Sequence, residues 1–122
     1  MAYDSNNIFA KILRGEIPCN KLYEDDYAIA FNDIAPKAPV HVLVIPKKAY
    51  VSIVDFTQGG TPEDIAGFYK AFGNVVKMLG VEESGFRTIA NTGLNGGQEV
   101  PHFHLHILAG RVLGPMVMPK AA

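Results

Sequence analysis

The order of the predicted segments indicates an α+β fold, in which an antiparallel sheet of about five strands carries one long helix and a short N-terminal helix. Three observations support this fold class. One central segment has clear helical periodicity, several short segments have the pattern of β-strands, and prolines and glycines separate them. The chain has 122 residues, which suffice for one domain with a core and are too few for two.

A short helix is predicted near the N-terminus, in the stretch "SNNIFAKILRG". Ser5 or one of the asparagines after it can cap this helix, and Gly15 can end it. The apolar residues between them lie at helical spacing and are Ile8, Phe9, Ile12 and Leu13. The segment therefore predicts one or two helical turns.

Three strands are predicted next. The stretches "NKLYED" and "DYAIAFND" contain alternating or mixed apolar residues and are separated by Asp25 and Asp26, so they predict a hairpin. Two prolines in "IAPKAPV" remove backbone donors and fix φ, which indicates an ordered loop. The third strand is "VHVLVIP", which ends at Pro46.

The long helix has the clearest signals at both of its ends. Thr61 can cap it, Pro62 suits its first position, and Glu63 and Asp64 favour the positive end of its dipole. Gly80 ends it. Its apolar residues recur at steps of three and four and predict a stripe that covers the sheet: Ile65, Phe68, Phe72, Val75, Val76 and Leu79.

The remaining chain predicts two more strands and an apolar tail. "GFRTIAN" is predicted as a strand, "TGLNGGQE" as a glycine-rich loop and "VPHFHLHILAG" as the last strand of the core. We expect one domain over residues 1–122, with its core at about residues 7–110 and a tail at 111–122. The tail is apolar enough to predict that it packs on a surface, for instance that of a second subunit.

Composition excludes several classes of function. The net charge is -1 and the charged residues are scattered, so no basic face indicates binding to nucleic acid or to an anionic membrane. The single cysteine, Cys19, has no motif around it and is interpreted as a packing residue. No apolar run approaches about 18 residues and no secretion signal begins the chain, so a cytoplasmic location is expected. A small-molecule partner is therefore favoured.

The most informative stretch is "VPHFHLHIL", at residues 100–108. On a strand, alternate side chains share a face, so His102, His104 and His106 are predicted to line one side at a spacing of roughly 6.6 Å. The alternate residues are predicted to lie on the other side of the strand, against the core: Pro101, Phe103, Leu105 and Ile107.

Three interpretations of these histidines remain open from the spacing alone. They could be buried structural residues, although each ring would then need partners for its nitrogens. A zinc site completed by His41 is the second interpretation. The third is nucleophilic and acid–base chemistry, in which one neutral ring attacks phosphorus and a protonated ring donates to the leaving group.

The sequence also resembles a known family. "HFHLHIL" resembles the histidine triad signature, in which three histidines alternate with hydrophobic residues. The stretches "IFAKILRGEIP", "AFNDIAPKAPVHVLVIPKK" and "GGQEVPHFHLHILAGR" resemble the Hint branch of this (HIT) family, the purine nucleoside phosphoramidases. The resemblance covers residues 7–115, and "GGQEV" with "GRVLGPM" is most similar to bacterial members.

The resemblance implies a HIT-like dimeric fold and an enzymatic role for each histidine. His104 would attack the α-phosphorus of a nucleoside phosphoramidate and hold the nucleotidyl group until water releases the monophosphate. His102 and His106 would orient the ring, bind phosphate oxygen and help to pass protons to the departing amine. His41 would be the fourth histidine, bonded to the triad from the neighbouring strand. For this activity we expect no metal and no cofactor.

The same resemblance implies a nucleotide pocket. Asp33 would bind the ribose hydroxyls, while Asn91, Gly96, Gly97 and Gln98 would lie on the phosphate side. Glu99 would also belong to the pocket and either bond to the amine or face solvent. The apolar walls around the purine would be Ile8, Phe9, Ile12, Phe31 and Ile34, for which an ordinary core role is the alternative. At the position of Glu99 eukaryotic members have serine, which leaves the role of Glu99 and the preferred amine open.

Other functions remain as alternatives. A dinucleoside polyphosphate hydrolase of the Fhit branch usually has proline and arginine after the triad, whereas this chain has Ala109, Gly110 and Arg111. A nucleotide-binding or scaffold protein with little turnover is a second alternative, and a zinc-binding protein is a third. The sequence identifies neither the physiological amine nor the pathway.

Overall fold

A computed structural model describes residues 2–118 of the chain and contains one five-stranded antiparallel sheet. The strands are β1 (Lys21–Glu24), β2 (Ala28–Asn32), β3 (Val40–Pro46), β4 (Arg87–Ile89) and β5 (Leu105–Ala109). The helices are α1 (Ile8–Leu13), α2 (Ile53–Gly59), α3 (Pro62–Leu79) and α4 (Gly93–Gly96). The spatial order of the strands is β1-β2-β3-β5-β4. The predicted fold class, the hairpin and the strand that ends at Pro46 are confirmed.

The register between β3 and β5 brings two distant histidines together. His41 pairs with Leu108, and Leu43 pairs with His106. Side chains two residues apart on a strand point to the same face, so His41 and His106 are diagonal neighbours on one face of the sheet. The sheet thus joins two imidazoles that are 65 positions apart in sequence.

Each face of the sheet has its own apolar cluster. On one face α3 packs through Phe68 and Val75 against Phe103, Leu105 and Ile107, which confirms the predicted inward side of that stretch. The other face carries α1 and a smaller cluster formed by Phe9, Ile29, Phe31, Leu43 and Ile45. Cys19 packs against this second cluster, as predicted. The histidines lie on the α1 face, beside Phe9.

The helix ends follow the sequence signals closely. Thr61 accepts from the backbone N–H of Asp64 at 3.0 Å, and Gly80 takes the left-handed conformation, with φ 69°, at the other end of α3. At α1 the cap is Asn7, whose side chain accepts from the N–H of Ala10 at 2.9 Å. Asn7 is therefore the capping residue that the prediction left open between Ser5 and an asparagine.

Two short helices were not predicted. Helix α2 begins after Ser52, whose hydroxyl accepts from the N–H of Asp55 at 3.1 Å, and it buries Phe56 in the core. This capping pattern was a usable signal, but one buried residue over seven positions gives little periodicity. Helix α4 lies inside the glycine-rich stretch that was predicted as a loop, and it ends at Gly97 with φ 72°.

The predicted last strand was too long, since β5 begins only at Leu105. Pro101 has no N–H to donate, and the N–H of His102 donates back to the carbonyl of Val100 at 2.9 Å. The N–H of Phe103 donates to Tyr50 at 2.7 Å rather than to a neighbouring strand. His102 and His104 therefore precede the strand, and only His106 of the triad lies in it.

The first part of the tail follows the sheet and leaves its apolar side chains exposed. The Arg87 guanidinium donates to the carbonyl of Gly114 at 2.9 Å, while Met116, Val117 and Met118 are exposed in the single chain. Packing of this tail on a second subunit stays a prediction, and its end, residues 119–122, lies outside the described residues. Within residues 2–118, no helix has the length and apolar character needed to cross a membrane.

Two glycines of α3 give a matched test of how this helix packs. A Cβ on Gly67 would clash with the Tyr27 ring, whereas one on Gly73 would have no atom within 4 Å. We expect Gly67→Ala to lower the free energy of unfolding by about 1–3 kcal/mol through overpacking. Gly73→Ala should raise it by up to about 1 kcal/mol through helix propensity. Urea unfolding of both variants checks this, and equal effects would contradict the packing described.

Candidate active site

His41 and His106 form a hydrogen-bonded pair with defined proton positions. Nε2 of His41 lies 2.9 Å from Nδ1 of His106, and the backbone N–H of Lys37 donates to Nδ1 of His41 at 3.0 Å. A neutral imidazole has one N–H and one acceptor nitrogen. Because Nδ1 of His41 accepts, its proton is on Nε2 and is donated to His106. The proton of His106 must then be on Nε2, and this half-buried side chain can offer it to a ligand.

His104 has the opposite tautomer. Its Nδ1 lies 2.7 Å from the carbonyl oxygen of His102, and a carbonyl can only accept, so His104 carries its proton on Nδ1. Nε2 of His104 is left with a free lone pair, and among residues 2–118 no side chain bonds to it. The edge of the Phe9 ring packs against His104 at a centroid distance of 5.0 Å. This ring is therefore held with an unprotonated nitrogen available for attack.

His102 is completely buried and has both ring nitrogens bonded. Nε2 lies 3.0 Å from the carbonyl oxygen of Pro46, so the proton is on Nε2. Nδ1 lies 2.6 Å from the hydroxyl of Tyr3, which consequently donates to it. Neither ring nitrogen of His102 is therefore free in this structure, whereas its backbone carbonyl bonds to His104. A contact of His102 with phosphate oxygen stays a prediction.

Burial holds all four imidazoles in their neutral form. Desolvation is the largest cause in each case and lowers the pKa of His102 and of His106 to about 4. It also lowers the pKa of His41 and of His104, although the negative charge of Asp33 opposes the shift in both and that of Glu99 opposes it in His104. At neutral pH the imidazole of His104 is thus uncharged.

Asp33 lies beside the histidine pair. One of its carboxylate oxygens accepts from the backbone N–H of Ala35 at 2.8 Å, and the other lies 3.4 Å from Nε2 of His41. This contact is not an ion pair at neutral pH, because burial keeps the pKa of His41 below its ordinary value. Asp33 therefore stays close to the site while its carboxylate remains partly accessible to a ligand.

A metal site at this cluster conflicts with its hydrogen bonds. Asp33, His41 and His106 offer ligand atoms within 4.8 Å of one another. For Nε2 of His41 to bind a metal, its proton would have to move to Nδ1, where it would face the N–H of Lys37. Two nitrogens on one tetrahedral zinc also lie about 3.3 Å apart, which is longer than the 2.9 Å between these rings. The arrangement fits an N–H···N bond.

The predicted phosphate side of the pocket is organised by Gln98. Its amide accepts from the N–H of Gly93 at 3.0 Å and donates to the carbonyl oxygens of Val51 at 2.7 Å and Val100 at 3.1 Å. The backbone N–H groups of Gly97 and Gln98 are bonded within α4. Gln98 therefore anchors α4 to the triad segment. A direct contact of these groups with phosphate stays a prediction that would require exchange of these bonds.

The remaining predicted pocket residues fall into two groups. Phe9 and Phe31 are buried and contact each other edge to face at 5.5 Å, so they contribute to the core as well as to one side of the site. Ile8 and Ile34 are exposed, at 41% and 95%. Ile12 and Asn91 are half-buried, and Glu99 is exposed. Their contacts with a purine or a phosphate stay predictions.

The comparison with known proteins settles the family. The sequence model of the HIT domain matches residues 14–113. The chain belongs to the HIT family. Its sequence is 54% identical over 115 residues to a HIT-like protein of Azospirillum brasilense, and the match covers 94% of each chain. This agrees with the resemblance carried by "HFHLHIL".

Two further relatives of this HIT protein have functional names. A purine nucleoside phosphoramidase of Escherichia coli is 41% identical over 113 residues, which cover 93% of this chain and 94% of that protein. A structure named HIT family hydrolase, from Clostridium thermocellum, superposes with a TM-score of 0.84 at 38% identity. It covers 94% of this chain and 99% of that one.

The structure adds partners that the sequence did not indicate. The carbonyl oxygen of Pro46 fixes the tautomer of His102 and the N–H of Lys37 that of His41, while the hydroxyl of Tyr3 bonds to the remaining ring nitrogen of His102. Two of these groups belong to the backbone, which has no sequence signature. Tyr3 lies in a segment without periodicity or motif, so no local signal could have linked it to His102.

The low pKa of His102 makes stability depend on pH. An unfolded histidine titrates near pH 6.5, whereas folded His102 titrates at about 4, so between these values the unfolded state binds more protons. Stability should therefore fall as pH decreases through this range, with His102 contributing about 2–3 kcal/mol of loss by about pH 4.5. Urea unfolding of the parent and of His102→Gln, whose amide does not titrate, isolates this contribution. The same pH dependence in both proteins would contradict it.

Proposed function

We propose that this protein hydrolyses the P–N bond of purine nucleoside phosphoramidates through a covalent intermediate on His104. The observation that carries the proposal is the hydrogen bond from Nδ1 of His104 to the carbonyl of His102, which leaves Nε2 unprotonated at the α1 face of the sheet. The relative named purine nucleoside phosphoramidase supports the substrate class.

In the first step the lone pair on Nε2 of His104 attacks the α-phosphorus, and the bond from phosphorus to the amine nitrogen breaks. The amine leaves with the bonding electrons and takes up a proton from solvent at the open side of the pocket. The phosphorylated imidazole becomes cationic, and the carbonyl of His102 stabilises this charge because it accepts the Nδ1–H. The result is a nucleotidyl group bonded to His104.

In the second step water attacks the same phosphorus and the Nε2–P bond breaks. The electron pair returns to His104, the nucleoside monophosphate leaves, and the proton lost by water passes to solvent. Both steps use imidazole, backbone and water, so the proposal includes no metal and no cofactor.

His106 is proposed to bind the phosphate. Because its Nδ1 accepts from His41, its Nε2–H is directed away from that pair and can donate to a phosphate oxygen. Its ring centroid lies 5.0 Å from that of His104, close enough for both rings to contact one phosphoryl group. His102, which donates its single proton to Pro46, orients His104 instead of passing protons to the amine.

The nucleoside would bind at the same face. Asp33 has a carboxylate that can accept from both ribose hydroxyls, and Phe9 and Phe31 present apolar surface beside the histidines. We also propose a homodimer, since the family resemblance implies one and Met116, Val117 and Met118 leave apolar surface exposed on the single chain. Residues of this tail would then lie near the leaving amine.

Replacement of the nucleophile gives the direct test of this function. His104→Gly should lower kcat for release of AMP from an adenosine phosphoramidate by at least about 10³-fold, because the covalent route is lost. Added imidazole should restore part of the rate by occupying the space of the deleted ring. Steady-state kinetics with the purified protein provide the measurement.

Two comparisons separate the alternatives. Diadenosine polyphosphate should turn over much more slowly than the phosphoramidate, whereas the reverse order would favour the Fhit-like activity. Calorimetry should show AMP binding to both the parent and His104→Gly. Tight AMP binding with negligible turnover by the parent would contradict the proposed enzyme and favour a binding protein.

A further inference from the structure

The N-terminal segment reaches into the active site through Tyr3. Its hydroxyl lies 2.6 Å from Nδ1 of His102, 99 positions away in sequence, and the two rings meet edge to face at 5.6 Å. Tyr3 is half-buried, while His102 is completely buried. A tyrosine hydroxyl thus covers the one nitrogen of His102 that the sheet does not satisfy.

The segment before α1 is folded in a way that holds Tyr3 there. The side-chain amide of Asn7 donates to the carbonyl of Asp4 at 2.7 Å, and the carboxylate of Asp4 accepts from the N–H of Asn6 at 2.9 Å. The Arg14 guanidinium donates to the carbonyl of Ser5 at 2.8 Å. These bonds tie the residues after Tyr3 to both ends of α1, so Tyr3 does not depend on its hydroxyl alone for its position.

The direction of the Tyr3 bond follows from the other side of the ring. Nε2 of His102 donates to Pro46, so Nδ1 must accept and the Tyr3 hydroxyl must donate. The ring of His102 is then held at two opposite atoms, one by β3 and one by the N-terminal segment. The carbonyl of the same residue accepts from Nδ1 of His104. A change in the His102 ring would therefore move the atom that sets the tautomer of the proposed nucleophile.

We propose that Tyr3 is a positioning residue of the active site: its hydroxyl holds the ring of His102 in place, and through the His102 carbonyl it orients His104. Tyr3 does not contact substrate in this role. The effect on turnover rests on the proposed function, whereas the effect on the His102 ring does not. The titratable groups that face this ring are Tyr3 itself and His104.

The variant Tyr3→Phe keeps the ring and removes only the hydroxyl. Nδ1 of His102 then lacks its hydrogen-bond partner, since the hydroxyl can donate to the neutral ring and accept from the protonated one. Long-range proton–nitrogen NMR should show the Nε2–H tautomer of His102 in the parent at neutral pH. In the variant, the Nδ1 signal of His102 and the pH at which this ring is protonated should both differ from those of the parent. This readout is independent of any substrate.

Kinetics give the second readout. For Tyr3→Phe we expect kcat to fall about tenfold, the lower end of the effect of losing a hydrogen-bond partner behind a functional histidine, while KM changes little. The acidic limb of the kcat profile should shift in the same direction as the His102 titration. The matched control is Tyr27→Phe, which removes a hydroxyl bonded to Glu63 at 2.7 Å at an exposed position, and it should match the parent in all these measurements.

Three outcomes are decisive. A shifted His102 titration together with the lower kcat supports the proposal. The parental His102 spectrum and pH profile in Tyr3→Phe would overturn it, even if that variant melts at a lower temperature, because Tyr3 would then contribute only to stability. If the parent itself does not cleave phosphoramidates, the proposed function fails while the NMR result still decides whether Tyr3 sets the state of His102.

Discussion

A neutral imidazole carries a single N–H, and the hydrogen bond from Nδ1 of His104 to the carbonyl of His102 determines where His104 carries it. The rest of the site depends on this bond, because it leaves Nε2 of His104 free. The bond requires the His102 carbonyl to keep its orientation. The N–H of Phe103 belongs to the same peptide group and donates to Tyr50, while the His102 ring is bonded to Pro46 on β3 and to Tyr3 before α1. His106, by contrast, has its proton on Nε2 because His41 donates to its other nitrogen. The ring of His104 thus presents an acceptor nitrogen to a ligand, and the neighbouring ring of His106 presents a donor.

The sheet provides the low-polarity surroundings that keep these rings uncharged. Desolvation lowers the pKa of each histidine, and it outweighs the opposing charges of Asp33 and Glu99 at His104. Burial alone would not produce the hydrogen bond between His41 and His106. That bond also needs the β3–β5 register, which makes these two residues diagonal neighbours. Phe103, Leu105 and Ile107 anchor the opposite side of the same segment to α3. The packing of this segment and of the sheet therefore also determines which nitrogen of each histidine carries the proton.

Much of this could be predicted from the sequence, because the signals involved are local. The capping residues Thr61 and Gly80, the proline that ends β3 and the alternation around Phe103 each act within a few positions. The start of β5 was missed, since the backbone partner of Phe103 is Tyr50, a long-range contact. The partners of the histidines were missed for the same reason. A carbonyl or an N–H has no sequence signature, and Tyr3 is linked to His102 only by the folded chain.

Neutron diffraction from a deuterium-exchanged crystal near neutral pH would locate the protons of the four imidazoles directly. We expect deuterium on Nδ1 and none on Nε2 of His104, with deuterium on Nε2 of His41, His102 and His106. Deuterium on Nε2 of His104, whether or not Nδ1 carries it too, would rule out this ring as the proposed nucleophile, because Nε2 would then have no lone pair for the attack on phosphorus.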